Sequence, residues 1–343
     1  MEIIQYWVEK HMAELWQYGH LSKGLLEPAD DLKMLPFWIT AEVFYGKMSP
    51  EQILQLRELA AMREDLFKIV IHGGLARFKF SRYIPTQANK KLTRFQTSWR
   101  NFNDQAYYRA ISNDLAPPIV QMYQLCENET ITQNQLLHTI DESLFANLDV
   151  TTGGFSWVLV FLAANKYYQT RLLSELDTYR KEHQGDRKPY VLANGTLLAS
   201  CIAESCRLRP LAAFSVPQSA PTSRVVGGYI IPAGTDFIVD TCGLNTRNET
   251  FWGPDASVFR PERFLEHSKQ AMDLRYQFWR FGFGPRQCMG KYLADLMIRA
   301  FIIHIVESYE LSLLDGDVGE DWCRIPDVWI SHPNMQLRCL RRT

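Results

Sequence analysis

FGFGPRQCMG, residues 281–290, places three glycines, one proline and one arginine around a single cysteine. The stretch then runs directly into an apolar, helix-like segment. Glycines allow a backbone to approach a flat or bulky group closely, and the free N–H groups at a helix start carry partial positive charge. Cys288 therefore lies in a setting that favours a thiolate and leaves room beside it.

Three kinds of cysteine fit this setting. A haem-binding cysteine would use the thiolate as an iron ligand, the glycines as clearance for the ring and Arg286 as the partner of an anionic propionate. A buried structural cysteine in a glycine loop would need none of these. A nucleophilic cysteine would need a histidine base that only the fold can bring near. The spacing of the glycines, the arginine and the cysteine favours the haem interpretation.

Composition and charge limit the classes of protein to which the chain can belong. The chain has 343 residues, of which 46% are hydrophobic and 22% are charged, and its net charge is −1. A near-neutral chain does not predict a nucleic-acid-binding protein. The seven cysteines are scattered without zinc-site spacing, which indicates a reducing compartment. No uninterrupted apolar run reaches the roughly 20 residues that a bilayer-spanning helix needs.

Apolar residues at helical spacing predict a mainly α protein with a small β part. Ser49 before Pro50 marks one helix start, and Thr132 with Gln135 predicts a capping box at another. The predicted helices cover residues 1–18, 31–46, 50–71, 89–111, 133–163, 166–183, 195–210 and 289–308.

The β part is predicted from two segments rich in β-branched residues. These are RVVGGYIIP, residues 224–232, and GTDFIVD, residues 234–240. Pro232, Ala233 and Gly234 lie where the segments meet, so a hairpin with its turn at these residues is predicted. The residues from this hairpin to about 280 are rich in Pro, Gly, Asn and Asp and predict loop.

The opening stretch resembles the haem-ligand signature of the cytochrome P-450 family, Phe-x-x-Gly-x-Arg-x-Cys-x-Gly. Phe281, Gly284, Arg286, Cys288 and Gly290 occupy every fixed position of that signature. The resemblance implies the cytochrome P-450 fold and haem b as the cofactor. It also implies that Cys288 is the axial ligand of the haem iron and that the other four residues shape the cofactor site.

Two further segments carry the same resemblance. ESCR, residues 204–207, matches the Glu-x-x-Arg helix of the family, and FRPERF, residues 259–264, matches its Pro-Glu-Arg-Phe segment. The family implies a buried ionic triad of Glu204, Arg207 and Arg263 behind the cysteine loop. Because buried charges are tolerated only when they are paired, we expect the triad to hold the loop rather than to do chemistry.

The resemblance also implies a reaction and partners. Family members are haem-thiolate monooxygenases, which insert one oxygen atom into a small hydrophobic organic substrate with electrons from NADPH through an NADPH-cytochrome reductase. Arg224, just before the hairpin, matches a position that meets a haem propionate. Basic residues near the cysteine are expected to dock the acidic reductase, with ordinary solvated charge as the alternative. They are Arg280, Arg286, Lys291 and Arg299.

The segment SLFANLDVTTGGFSWVLVFLAAN, residues 143–165, resembles the long helix that crosses the distal face of the haem in this family. In that helix a small residue leaves room for oxygen, and an acid and a threonine deliver protons. Alignment on Leu162-Ala163 places Asn147 at the usual glycine, Asp149 at the acid and Val150 at the threonine.

Thr151 follows the expected threonine position by one residue. A register shifted by one residue would place Thr151 at the threonine position and lose the acid. In the preferred register we expect Asp149 to deliver protons together with Thr151, water or a substrate group. Gly153-Gly154 is expected to loosen the helix so that Thr151 turns inward. The alternative is that Thr151 and Thr152 bond back to carbonyls one turn earlier.

The same segment is also similar to a narrower group of family members. NLDVTTGGFSW, residues 147–157, resembles fungal secondary-metabolism members, most of all those of epipolythiodioxopiperazine (gliotoxin-like) pathways. This resemblance implies mycotoxin biosynthesis and a substrate derived from a cyclic dipeptide.

The resemblance covers nearly all of residues 1–343, which are predicted to form a single haem-thiolate monooxygenase domain without the family's N-terminal portion. The membrane anchor, the first strands and the Trp-x-x-x-Arg haem contact have no match in the sequence. The hairpin at 225–240 is therefore expected to expose an edge. The chain as given is expected in the cytoplasm. An intact version, with membrane contact, is expected at the cytosolic face of the endoplasmic reticulum.

Two other functions stay open. Val150 in place of the threonine favours a haem-thiolate isomerase or dehydratase that needs no reductase. The unmatched N-terminal features favour an inactive, truncated haem-binding remnant.

Overall fold

A computed structural model describes residues 1–267, 271–314 and 330–342. The chain divides into two compact units, the first formed by residues 1–36 and 149–343 and the second by residues 37–148. Helices dominate both units, and the small sheets lie in the first. The predicted fold class, mainly α with a small β part, is confirmed. The single domain predicted for the whole chain stays a prediction.

The helices of the described chain are, in order, α1 (Glu2–Tyr18), α2 (Pro28–Asp31), α3 (Leu35–Tyr45), α4 (Pro50–His72), α5 (Gln87–Ser112), α6 (Pro118–Glu127), α7 (Gln133–Phe145), α8 (Val150–Ala164), α9 (Lys166–Glu182), α10 (Lys188–Leu192), α11 (Leu197–Leu208), α12 (Thr241–Thr246), α13 (Glu249–Trp252), α14 (Glu262–His267), α15 (Ala271–Gln277) and α16 (Lys291–Ser308).

The strands are β1 (Leu25–Leu26), β2 (Gln218–Ser219), β3 (Arg224–Val226), β4 (Tyr229–Ile231), β5 (Asp236–Phe237), β6 (Tyr309–Leu313) and β7 (Leu337–Arg341). They form three antiparallel sheets with the strand orders β1-β7-β6, β2-β5 and β3-β4.

The second unit is built from α4 to α7, with nearly all of α3. Ser49 with Gln52 opens α4, and Thr132 with Gln135 opens α7; both pairs form complete capping boxes. The predicted helix starts are therefore confirmed. Inside this unit the indole N–H of Trp99 donates to the Leu137 carbonyl at 3.0 Å, which fastens α5 to α7.

The core of the first unit is centred on α8, which packs against α11, α16 and β6. Every residue from Thr151 to Ala163 is buried. Residues 133–164, which contain this helix, are long and apolar enough to span a membrane, and 78% of their most apolar window is buried inside the protein. That degree of burial is typical of a helix in a protein core.

The predicted single helix over 133–163 is wrong at one point. α7 ends at Phe145, a 3₁₀ turn covers Ala146–Leu148, and α8 begins at Val150. The interruption therefore precedes the two glycines that were expected to loosen the helix. α8 continues through both of them, and the Gly153 N–H donates to the Asp149 carbonyl at 2.9 Å.

Gly153 and Gly154 instead allow neighbouring groups to approach α8 closely. A Cβ atom on Gly153 would lie 2.9 Å from Leu211 Cδ2 and 3.1 Å from the Ser331 carbonyl oxygen. A Cβ atom on Gly154 would lie 3.1 Å from Ile298 Cδ1 of α16. These glycines are therefore close-packing positions within a continuous α8.

The predicted hairpin is also corrected. β3 pairs with β4 across a turn at Gly227-Gly228, whereas β5 pairs with β2. Both glycines have positive φ, 57° and 85°, and the tight turns of two-residue hairpins favour such residues. β3 and β4 form a two-stranded sheet, so both of its edges lack a further strand within the described residues, as predicted.

The predicted loop between the hairpin and residue 280 contains the short helices α12 to α15. The Asp240 carboxylate caps α12 by accepting the Gly243 N–H at 2.7 Å. These helices are four to seven residues long. Apolar periodicity needs a longer window to be recognised, so the sequence did not indicate them.

Gly153→Val should destabilise the protein by about 1–3 kcal/mol, because the added atoms would overlap Leu211 and the Ser331 carbonyl in a closely packed core. Denaturant unfolding monitored by circular dichroism measures the change. Gly195→Val is the control, since a Cβ atom there would meet nothing within 4 Å. Equal unfolding midpoints for the two variants would contradict this account of the α8 core.

Candidate active site

The cysteine loop, residues 281–290, connects the region after α15 to the start of α16. The Cys288 N–H donates to the Phe281 carbonyl at 2.8 Å and so closes the loop. Gly282 and Gly284 have φ of 76° and 65°, a conformation that side chains disfavour. A Cβ atom on Gly284 would meet nothing within 4 Å, and the Cys288 side chain is exposed. The loop thus presents the thiol beside an open face.

Two arginines and one glycine complete the predicted cofactor contacts. Arg286 and Arg224 are exposed, and within the described ranges neither guanidinium has a hydrogen bond or an ion pair. A Cβ atom on Gly290 would lie 4.0 Å from the Cys288 sulfur. Gly290 therefore keeps the space next to the thiol clear.

The predicted ionic triad is assembled behind this loop. Arg207 donates from Nε to Glu204 Oε2 at 2.7 Å and from Nη2 to Oε1 at 2.9 Å. Arg263 Nε donates to Glu204 Oε1 at 3.3 Å. All three side chains are fully buried. Bidentate, charge-assisted hydrogen bonds of this kind are among the strongest in proteins. They compensate the cost of burying the Glu204 carboxylate.

Asp255 adds a second acid that the sequence did not indicate. Its carboxylate accepts from Arg263 Nη1 at 2.9 Å, and this hydrogen bond holds the pKa of Asp255 below its usual value. Asp255 also pairs with Arg260 at 2.9 Å, and Arg260 pairs with Glu266 at 2.8 Å, so three carboxylates balance three guanidiniums in this network. Only the position of Asp255, shortly before FRPERF, could have suggested this role.

Asn245 links the triad to the cysteine loop. Its carbonyl oxygen accepts from Arg207 Nη1 at 2.8 Å. Its side chain donates to the Trp279 carbonyl at 2.8 Å and accepts the Trp279 N–H at 2.8 Å. Asn245 is fully buried, and Trp279 lies two residues before Phe281. The clamp therefore fixes the backbone just where the loop begins, a role that nothing in the sequence indicated.

Two of the four arginines and lysines proposed for reductase docking lie inside the protein. Arg299 is 7% exposed; its Nε lies 2.7 Å from Asp295 Oδ2, and its Nη1 donates to the Ala193 carbonyl at 2.6 Å. Arg280 Nη2 lies 2.7 Å from Asp295 Oδ1. The docking role predicted for Arg280 and Arg299 is therefore wrong, because both guanidiniums are turned into the protein against Asp295 and do not face a partner. For Arg286 and Lys291 it stays a prediction.

On the distal segment, Asp149 and Thr151 lie at the start of α8. Asp149 is the N-cap residue but makes no side-chain capping bond. Thr151 is 4% exposed and Val150 is 40% exposed. Thr152 is fully buried, and its hydroxyl donates to the Lys33 carbonyl at 3.4 Å, not to a carbonyl one turn earlier. Thr151 thus lies on the buried side of the helix and Val150 on the exposed side.

His332 is a buried titratable residue near this segment that the sequence did not single out. It is 6% exposed, and its Nδ1 has no hydrogen-bond partner within the described chain. Burial lowers the pKa of His332, whereas the Asp149 carboxylate acts on it in the opposite direction. The preceding residue, Ser331, accepts the indole N–H of Trp157 at 2.9 Å, which fastens this segment to α8.

A groove of about 650 Å³ lies in the second unit, among α4, α5 and α7. Its walls include Leu66, Phe95 and Leu137, together with Arg63 and Asp141. None of the predicted site residues lines this groove, so the groove is not part of the candidate site around Cys288.

The residues around Cys288 fit a haem. The thiol supplies a soft sulfur donor, the left-handed glycines permit a close approach of the backbone, and Arg286 and Arg224 are available for propionates. The sequence model described as cytochrome P-450 matches residues 1–335.

The chain belongs to the cytochrome P-450 family. It is 52% identical to cytochrome P-450 monooxygenase asaD of Aspergillus flavus over 99% of this chain and 64% of that protein. It is 50% identical to cytochrome P-450 monooxygenase aclC of Aspergillus oryzae over 100% of this chain and 69% of that protein.

Cytochrome P-450 monooxygenase gliC of Aspergillus fumigatus is 38% identical over 93% of this chain and 62% of its own length. The chain thus spans about two thirds of the length of these cytochrome P-450 relatives. The predicted resemblance to fungal members of the family is confirmed.

Glu204→Gln should destabilise the protein by about 3–5 kcal/mol, because it leaves two buried guanidiniums without their shared carboxylate. Thermal or denaturant unfolding measures the loss. The matched control is Glu266→Gln, since Glu266 pairs with Arg260 at 2.8 Å at an exposed site and should lose less than about 1 kcal/mol. Similar losses in both variants would show that the triad does not stabilise the fold.

Proposed function

We propose that this protein is a haem-thiolate monooxygenase that inserts one oxygen atom into a hydrophobic organic substrate. The observation that carries the proposal is the cysteine loop: an exposed Cys288 thiol whose backbone is held by the Phe281 carbonyl at 2.8 Å. Membership of the cytochrome P-450 family and the relatives named as monooxygenases support the reaction type.

When bound, haem b would supply the binding and activation of oxygen. Cys288 would hold the iron through its sulfur and would donate electron density to it. Arg286 and Arg224 would hold the propionates, and Phe281, Gly284 and Gly290 would keep the loop in shape around the sulfur. Glu204, Arg207 and Arg263 would act only through the loop, by way of Asn245 and Trp279.

Proton delivery is assigned to Asp149 and Thr151. The Asp149 carboxylate is partly buried and does not cap α8. Thr151 faces the protein interior and offers a hydroxyl next to it in sequence. A carboxyl group that passes protons through a hydroxyl is ordinary general acid–base chemistry.

Electrons are proposed to come from NADPH through an NADPH-cytochrome reductase. Arg286 and Lys291 lie beside the cysteine and remain candidates for docking it. The substrate class is inferred from residues 147–157, whose resemblance to gliotoxin-pathway members favours a compound derived from a cyclic dipeptide. A role in fungal secondary metabolism and a single domain over residues 1–343 belong to the same proposal.

A second function, a haem-thiolate isomerase or dehydratase, is favoured by one observation. Val150, at the position of the family's threonine, is 40% exposed and has no hydroxyl. Product formation in the absence of NADPH and reductase would decide for this second function. Strict dependence on both would decide for the monooxygenase.

We also propose that the protein works at a membrane surface, on the cytosolic face of the endoplasmic reticulum. Residues 66–103 contain eight lysines and arginines but no aspartate or glutamate. Large apolar side chains are exposed in the middle of this segment, among them Phe78, Phe80 and Tyr83, which are 55%, 55% and 74% exposed. Exposed aromatic groups between basic side chains are typical of protein surfaces that bind anionic lipids.

Purified protein loaded with haem should give, after reduction and addition of carbon monoxide, the red-shifted Soret band of a thiolate-bound haem. Cys288→Ala should abolish this band, because the sulfur ligand is lost. Cys242→Ala, at another partly accessible cysteine, should retain it. Absence of the band in the unmodified protein would contradict both catalytic functions and leave an inactive remnant as the explanation.

Vesicle sedimentation should detect binding to membranes that contain phosphatidylserine. Lys79→Gln combined with Arg82→Gln should weaken this binding roughly thirtyfold, since each basic residue near the surface contributes about 1 kcal/mol. Lys181→Gln with Lys188→Gln, at exposed sites outside the segment, is the control. Binding that is unaffected by the first pair, or by the removal of anionic lipid, would contradict a membrane role for residues 66–103.

A further inference from the structure

The residue directly before Phe281 is an arginine that points into the protein. Arg280 is 16% exposed, and its Nη2 lies 2.7 Å from Asp295 Oδ1, although the two atoms are not aligned as a hydrogen bond. Its guanidinium carbon lies 4.5 Å from the centroid of the Phe281 ring, a distance at which a cation is attracted to the ring face.

The charges in this cluster do not cancel. Asp295 is shared, since its Oδ2 lies 2.7 Å from Arg299 Nε. The remaining donors of Arg299 reach neutral acceptors, the carbonyls of Val191 and Ala193 and the side-chain oxygen of Asn194. Among the residues that the structure describes, two guanidiniums therefore share one carboxylate, which leaves a surplus of one positive charge behind the cysteine loop.

This surplus charge lies one residue from the group that holds Cys288. The Arg280 guanidinium packs over the Phe281 ring, and the Phe281 carbonyl accepts the Cys288 N–H at 2.8 Å. Charges act more strongly in the protein interior because the effective dielectric constant is lower there than in water. Outer groups that order a metal ligand, and charges near it, change its electron donation and the potential of the metal.

We propose that Arg280 is a positioning residue for the Cys288 ligand: held by Asp295 and Phe281, it fixes the closed loop, and its buried charge lowers the electron donation of the sulfur. The bound haem therefore has a higher reduction potential than it would have without Arg280. The inference rests on the proposed ligation of haem by Cys288. It separates Arg280 from the triad, which holds the loop without adding charge, because its acids and bases balance.

The test is potentiometric titration of the haem-loaded protein. Arg280→Gln should shift the reduction equilibrium about tenfold toward the oxidised form, which is about 59 mV for a one-electron couple. Arg280→Lys keeps the charge and should retain most of the potential of the unmodified protein. Arg275→Gln, which removes an exposed arginine five residues away, should leave the potential unchanged.

Asp295→Asn provides an independent readout if Arg280→Gln does not fold. Removal of the shared carboxylate leaves both guanidiniums uncompensated, so the potential should shift in the opposite direction, toward the reduced form. The proposal is overturned if Arg280→Gln leaves the potential unchanged, if Arg280→Lys lowers it as much as Arg280→Gln, or if Asp295→Asn does not raise it.

Failure of the proposed function has a different signature. A missing thiolate Soret band in the unmodified protein overturns ligation by Cys288, and the inference with it. An intact band with an unchanged potential in the Arg280 variants overturns the inference alone.

Discussion

The arrangement of the residues behind the cysteine loop depends on one buried carboxylate, that of Glu204. Glu204 binds Arg207 through both of its oxygens and Arg263 through one of them, with all three side chains fully buried. Without this acid Arg207 would be an unpaired charge in the interior and Arg263 would keep only Asp255 as an ionic partner, a situation that costs several kcal/mol. The carboxylate therefore holds α11 and the FRPERF segment in one arrangement.

That arrangement reaches the cysteine through hydrogen bonds along the backbone. Arg207 binds the Asn245 carbonyl, Asn245 clamps both backbone groups of Trp279, and the Phe281 carbonyl then holds the Cys288 N–H. Each link is a short polar contact, and together they hold the backbone that carries the Cys288 thiol. Such outer contacts allow the protein to set the geometry of a metal-binding residue.

The distal segment is organised by packing and not by charge. Gly153 lies against Leu211 and the Ser331 carbonyl, and this close contact fixes α8 in the first unit. The same packing places Thr151 inside and Val150 outside. Thr151, which follows the family's threonine position by one residue, thus faces the interior. This orientation supports its proposed role in proton delivery.

The sequence by itself determined the family, the fold class and most long helices. A fixed spacing of Phe281, Gly284, Arg286, Cys288 and Gly290, and capping pairs such as Thr132 with Gln135, are local patterns that can be read directly. The triad was predictable only through the resemblance to the cytochrome P-450 family, because charges one helical turn apart, such as Glu204 and Arg207, usually form a solvated face.

Only the tertiary structure decided which charged groups are buried and which glycines turn or pack. Arg280 and Arg299 look like surface cations in the sequence, yet both lie against Asp295. Gly227-Gly228 forms the hairpin turn that Pro232 and Gly234 were expected to form, and Gly153 packs where it was expected to loosen a helix. The physical reason is that burial and close contact depend on residues that are distant in the chain, and a local sequence pattern does not specify those long-range contacts.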